Sequence, residues 1–213
     1  MGLDGAWAIA WMRGSAAVVA EHRVELITLD RDIGDGDHGE NLDRGFSAIL
    51  PKLDEQPADA TPADILKLAA TTLISTVGGA SGPLYGTALL KASIAVAGQE
   101  DLDADAVVAL LTAARDGIVL RGKAEVGDKT MVDAWTPAVD AASAAAAGES
   151  PARVLAAAAD AAWGGAAATE PLVARKGRAS YLGERAIGHR DPGAQSTSYL
   201  LQAAAAAAGE GAA

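Results

Sequence analysis

Apolar residues recur every three or four positions along most of this chain, the spacing of helices that bury one face. Trp7, Trp11, Val18, Val19 and His22 share one such face. Leu42, Phe46, Ile49, Leu50 and Leu53 share a second, with Pro51 placed where it should weaken or end the run. Further helices are predicted over residues 64–77, 83–97, 103–120, 132–147, 151–163 and 196–208, with Asp103 in the N-cap region of its helix. Val107-Val108 and Ile118-Val119-Leu120 are too short and too embedded in alanine and leucine to be strands, and no hairpin alternation occurs. Short glycine- or proline-containing links favour antiparallel neighbours. The expectation is an all-α, antiparallel up-and-down barrel or bundle of about eight helices, one domain over residues 1–213. Residues 169–192 break the pattern: they are long, aperiodic and basic at Arg175, Lys176 and Arg178. Loops of that length are more often functional or disordered than decorative. The polyalanine run and the closing Gly209-Glu210-Gly211-Ala212-Ala213 read as a helix end with a fraying tail.

Composition sharpens this picture. Hydrophobic residues make up 50% of the 213, yet aromatics only 4%. Alanine fills the difference, so helices should pack closely through small side chains. With no cysteine, disulfide, iron–sulfur and thiolate-zinc chemistry are excluded, and a reducing compartment fits. A net charge of −11 argues against a general nucleic-acid surface. It also means that any polyphosphate must meet local cations: metal, arginine or backbone N–H groups. The apolar runs break before membrane-spanning length. Asp4 and Arg13 are in the wrong order for a secretory signal, and Ala6 stands where a Met1-Gly2 myristoylation start wants Ser or Thr. A soluble cytoplasmic protein is expected, with no membrane and no nucleic-acid partner.

The chemistry concentrates in the run from Asp30 to Asn41, where Asp30, Asp32, Asp35 and Asp37 alternate with Gly34, Gly36 and Gly39. Carboxylates this close repel unless cations lie between them. Oxygen ligands suit Mg²⁺, which commonly carries substrate phosphates in its remaining positions. An EF-hand fails, because from Asp30 the sixth position is Asp35 rather than glycine and the twelfth is Asn41 rather than glutamate. A solvated turn is the bland alternative. His38 alone is a weak signal, since isolated histidines often only hydrogen-bond a neighbour.

Gly78-Gly79-Ala80-Ser81-Gly82-Pro83 precedes a helix, so it reads equally as an anion-binding helix start or as a tight turn between packed helices. Gly117 to Lys123 imitates a phosphate loop, but Ala124 replaces the metal-binding Ser or Thr and the context is helical, so a Walker-type site is rejected. Arg175, Lys176 and Arg178 suit phosphate through planar, bidentate donors, or form a solvated patch. Asp191-Pro192-Gly193 is a turn ahead of the last helix.

Together these segments resemble the DhaL family, the nucleotide-binding subunits of dihydroxyacetone kinases. The resemblance rests on Leu29-Asp30, Ile33-Gly34-Asp35-Gly36-Asp37-His38-Gly39, Asn41, Gly78 through Gly86, Gly127-Asp128-Lys129-Thr130-Met131, Gly177-Arg178-Ala179-Ser180-Tyr181 and Asp191-Pro192-Gly193-Ala194. These span essentially the whole chain. The resemblance implies an antiparallel eight-helix barrel with nucleotide at one end. It implies that Asp30, Asp35 and Asp37 hold two Mg²⁺ ions on the phosphates of ADP or ATP, with Asp32 given no metal role. His38, Gly39, Glu40 and Asn41 would line the nucleotide, Ala80 and Ser81 would contact phosphate, and Gly122 and Met131 would pack near adenine. Arg178 would meet phosphate, while Asp191, Pro192 and Gly193 would close over the nucleotide. In the family, dihydroxyacetone sits on a separate DhaK subunit. A DhaM phosphohistidine carrier rephosphorylates the bound ADP in the phosphotransferase-system form. A freestanding L subunit favours that form. The alternatives are the L subunit of an ATP-dependent kinase for another small ketose or a fatty-acid carrier, a nucleotide-loaded regulatory binding module, and a plain bundle with a structural ion.

Overall fold

The structure, a computed structural model, describes residues 2–210. The expectations at Met1 and in the tail over residues 211–213 lie outside them. Nine α-helices and a 3₁₀ segment follow in chain order: α1 Gly5–Glu21, α2 Arg23–Ile33, α3 His38–Asp54, α4 Pro62–Thr76, α5 Ser81–Ala95, α6 Ala104–Gly122, α7 Val132–Ala145, α8 Pro151–Ala168, the 3₁₀ segment Arg178–Ala186, and α9 Pro192–Glu210. The described residues contain no strand, only an isolated bridge between Leu3 and Leu102. None of the described helices is long and apolar enough to cross a membrane.

Eight helices form a closed ring. Successive neighbours pack from α3 through α9, and α1 touches both α3 and α9 to complete the circuit. Small residues let the helices approach: Ala158, Ala159, Ala162, Ala166 and Ala204 are all buried. Trp7 and Trp11 lock the closure. Their rings stack at 5.3 Å, and their indole N–H groups donate to the carbonyls of Ala204 and Leu200 on α9, at 3.1 and 2.8 Å. Burying two indoles with their donors satisfied is the favourable way to use tryptophan in a core.

The ring has two unlike ends. At one, α1, α4, α6 and α8 begin under side-chain caps. Asp4 accepts from Trp7 N, Thr61 and Asp64 form a capping box, Asp103 accepts from Ala106 N, and Ser150 accepts from Arg153 N. At the other end begin α3, α5, α7 and α9. The N-cap residues of the first three, Asp37, Ala80 and Met131, make no side-chain cap hydrogen bond.

Four details differ from the expected helices. A separate helix, α2, lies outside the ring between α1 and α3, so Asp30 and Asp32 are helical and only residues 34–37 of the acidic run form a loop. The break falls at His22, which caps α1 with its own N–H. Pro51 does not end α3, which continues to Asp54. Within the last turn a proline costs one intrahelical hydrogen bond while the apolar face, through Leu53, stays buried. Helix α8 runs past Gly164 to Ala168, because Gly165 is where α7 approaches: a Cβ there would lie 2.8 Å from Pro137 Cγ. Helix α9 begins at Pro192, four residues before the apolar periodicity, since proline suits a first helical turn.

Candidate functional site

The acidic run folds around Asp30, in the last turn of α2. Gly34 makes this possible, since a Cβ there would collide with the Asp30 carboxylate. Asp30 Oδ2 then accepts from the backbone N–H groups of Asp37 and His38, at 2.8 and 3.1 Å, joining the end of α2 to the start of α3. The result brings one carboxylate oxygen each from Asp30, Asp35 and Asp37 within 4.8 Å of one another. Burial, followed by the neighbouring charges of Asp35 and Asp37, raises the Asp30 pKa against the lowering pull of the two N–H donors. An all-oxygen, mutually repelling trio of this kind fits a hard divalent cation. Asp32 leaves the cluster and pairs with His189 at 3.3 Å.

Beside the trio opens a cavity of about 590 Å³. Its walls include the starts of all four helices at this end: His38 of α3, Ser81 of α5, Val132 of α7 and Pro192 of α9. The positive ends of four helix dipoles therefore converge on one space. The N-cap residues of three of those starts make no side-chain cap bond, while the four at the far end of the ring do. Lys176 and Arg178 reach the cavity from the irregular loop, and Arg178 pairs with Asp35 at 3.0 Å. Cation and carboxylate thus meet where a metal-bound anion would sit.

His38 ties three of the converging helices together. Its Nδ1 lies 2.9 Å from Ser81 Oγ on α5 and its Nε2 2.8 Å from Ser196 Oγ on α9. Ser196 in turn lies 2.7 Å from the Tyr85 hydroxyl. Burial drives the imidazole pKa down to about 4, so the ring is neutral and serves as one donor and one acceptor.

Arg175 does not line the cavity; of the residues that the family resemblance assigns to the site, Asp30, Asp35, Asp37, His38, Ala80, Ser81, Gly122, Met131, Arg178, Asp191, Pro192 and Gly193 all do. Three do not. Gly39 faces α2, Glu40 is exposed and pairs with Arg23, and Asn41 accepts from Arg44 Nη2 at 2.5 Å. The structure adds Leu84, Ile118, Arg121, Lys129 and Thr130 to the wall. Leu84 lies inside the quoted Gly78–Gly86 segment and Ile118 in a run too short for a strand, and neither is marked there as a cavity residue. Lys129 and Thr130 lie inside a quoted segment, but nothing in their spacing marks them as cavity residues.

Asp191 carries the most displaced carboxyl. Its Oδ2 accepts from Ala194 N at 2.7 Å, yet burial, with the Asp133 and Asp30 charges adding, lifts its pKa to about 7. A folded pKa above the unfolded one makes a contribution that is full below about pH 4 and is lost as pH climbs towards 7. In chelator, wild-type stability relative to Asp191→Asn is expected to fall by roughly 2–3 kcal/mol between pH 5 and pH 8, read by urea unfolding. The His38 contribution has the opposite sign, being lost as pH falls from 6.5 towards 4, and cancels in this difference.

Comparison with known proteins agrees with this architecture. The profile of the DAK2 domain matches residues 32–206. The chain is 42% identical over 211 residues to the PEP-dependent dihydroxyacetone kinase, ADP-binding subunit DhaL, of Escherichia coli K12, covering 99% of this chain and 100% of that one. It is 43% identical over 195 residues to the PTS-dependent counterpart from Lactococcus lactis, covering 91% and 93%. Among solved structures, the dihydroxyacetone kinase from C. freundii in complex with AMP-PNP and Mg²⁺ superposes with a TM-score of 0.71 at 27% identity. That match covers 97% of this chain and only 34% of the kinase, so the chain spans about a third of that enzyme.

Proposed function

The chain belongs to the DAK2 domain family, and on that premise we propose that it is the ADP-binding subunit of a phosphoenolpyruvate-dependent dihydroxyacetone kinase. The single observation that carries the reading is the convergence of uncapped helix starts on a cavity bordered by three clustered aspartates. N–H groups and dipoles suit the phosphates of a nucleotide, and the aspartates suit the cation that accompanies them.

In this reading Asp30, Asp35 and Asp37 would hold Mg²⁺, as two ions. The metal, when bound, supplies charge neutralisation to the phosphates and orients them for in-line transfer. The chain's own residues do the rest. Arg178 lies beside Asp35 and is free to exchange that pair for a phosphate oxygen, where its planar fork is the better donor. His38 stays neutral and fixes Ser81 at the phosphate end of the cavity. Leu84, Ile118, Gly122 and Met131 give the base an apolar bed. Asp191, Pro192 and Gly193 close the opposite wall, and the Gly193 backbone stays tight against Met131, 3.5 Å from where a Cβ would stand. Positioning and charge neutralisation are what phosphoryl transfer asks of a protein, more than covalent chemistry.

The acceptor, dihydroxyacetone, is assigned to a separate substrate-holding subunit, and the phosphoryl donor to a phosphohistidine carrier. ADP is then a resident coenzyme that is recharged in place. Support comes from the relatives above, described as PEP- or PTS-dependent and as ADP-binding subunits.

The test is to denature exhaustively dialysed protein and assay the supernatant for nucleotide and magnesium. Near-stoichiometric ADP with magnesium is expected. Protein that emerges empty but binds ATP and Mg²⁺ reversibly would replace the carrier mechanism with an ATP-dependent one. Protein that binds neither would overturn the reading.

A further inference from the structure

We propose that Lys129 is a positioning residue, whose ammonium clamps both feet of the loop between α8 and α9 and so holds Arg178 and Asp191 at the cavity. The inference rests on the nucleotide reading for its consequence, but not for the clamp itself.

Lys129 is only 1% exposed and adopts a left-handed backbone, with φ of 63°. A non-glycine residue in that region carries a conformational cost. Its Nζ donates to Thr169 O at 2.7 Å and Glu170 O at 3.3 Å, on the outgoing foot of the loop, and to His189 O at 2.5 Å on the returning foot. An ammonium has three hydrogens, and here three carbonyls take them. Lys129 borders the cavity without a donor left for a ligand, which separates it from Arg178 and Lys176.

Three other residues also join the feet. Gly188 N donates to Glu170 O at 2.8 Å, Asp191 N to Thr169 Oγ1 at 2.9 Å, and Arg190 to the Glu170 carboxylate at 2.7 and 3.0 Å. Beyond them, Arg175 N donates to Asp128 O at 3.0 Å, Arg178 and His189 pair with Asp35 and Asp32 at the surface, and the loop packs through one small apolar cluster, Ile33, Ala174, Ala179 and Ala186. Its backbone also turns through positive φ at Gly177, Gly183 and Gly188. A segment with so few buried contacts opens at low free energy unless its ends are fixed. The buried cation fixes both ends to the loop that starts α7, on the opposite wall of the cavity.

The experiment uses the full chain, free of metal and nucleotide, as wild type and as Lys129→Met. The substitution preserves length and removes the charge and donors. Amide exchange over residues 171–188 is expected to accelerate tenfold or more, with α1, α4 and the middle of α8 unchanged. Affinity for ADP with Mg²⁺, by calorimetry, is expected to fall about tenfold. Unchanged exchange in the loop would overturn the clamp. An equal acceleration throughout the ring would also overturn it, by making Lys129 an ordinary core residue. If the wild type binds no ADP, the nucleotide reading fails while the exchange result still decides the clamp. Should Lys129→Met not fold, wild-type protein supplies the measurement through acylation of lysines by acetic anhydride. Lys129 is expected to be labelled at the rate at which the Gly188 amide exchanges, well ahead of the amides of the ring core. Labelling only at the core rate would overturn the proposal.

Discussion

Asp35→Asn is expected to reduce phosphoryl transfer, assayed with purified partner subunits, by about 10³-fold or more while leaving the helical fold intact. Removing one preorganised electrostatic group from a transfer site already costs about 10²–10³ in rate, and a cation ligand is a larger loss. Stability should move by less than about 1 kcal/mol. The Asp35 side chain is 37% exposed and its pair with Arg178 is a surface one, worth about 0–1 kcal/mol. The substitution also relieves repulsion from Asp30 and Asp37. Loss of transfer and Mg²⁺ affinity with unchanged thermal unfolding is the expected signature, and Asp37→Asn should share it. Asp30→Asn is a poorer probe, because Asp30 Oδ2 also takes the N–H groups of Asp37 and His38. Full activity in Asp35→Asn would remove the aspartate cluster from the mechanism.

Helical periodicity made the ring legible in the sequence, and the density of aspartates and glycines made the aspartate cluster legible. Both are local signals. What stayed hidden depends on packing between distant segments. Helix α2 is missing from the expected helices: only Leu26 and Ile33 of it are buried, so it carries little of a core-facing stripe, and nothing at His22 announces a break. Lys129 reads as a loop charge, since its partners Thr169, Glu170 and His189 lie 40 to 60 residues away. The unlike ends of the ring were half visible: Asp103 was legible as a cap, but the missing caps at Asp37, Ala80 and Met131 matter only once those helices share an end.

Gly39 shows how a motif residue can act through packing. It stands in the first turn of α3 and has no part in the cavity wall. A Cβ there would collide with the Arg23 carbonyl and lie 2.9 Å from Ile27 Cγ1, so glycine is what lets α2 lie against α3. Asp30 is borne on α2 one turn beyond Ile27, whereas Asp37 precedes α3 directly. Gly39→Ala must therefore push apart the two helices that carry the cation trio. Overpacking of this kind costs about 1–3 kcal/mol. A displacement near 1 Å at a reacting site costs about 10²-fold in rate. Gly39→Ala is expected to lose both, with Mg²⁺ affinity falling alongside transfer. Gly5→Ala is the matched control: its Cβ would collide with the Ala60 carbonyl at the capped end of the ring. It should lose comparable stability while Mg²⁺ affinity stays at the wild-type value. The pair separates two roles of a tightly packed glycine, since general destabilisation predicts the same metal affinity for both variants and α2 displacement predicts a loss in Gly39→Ala alone.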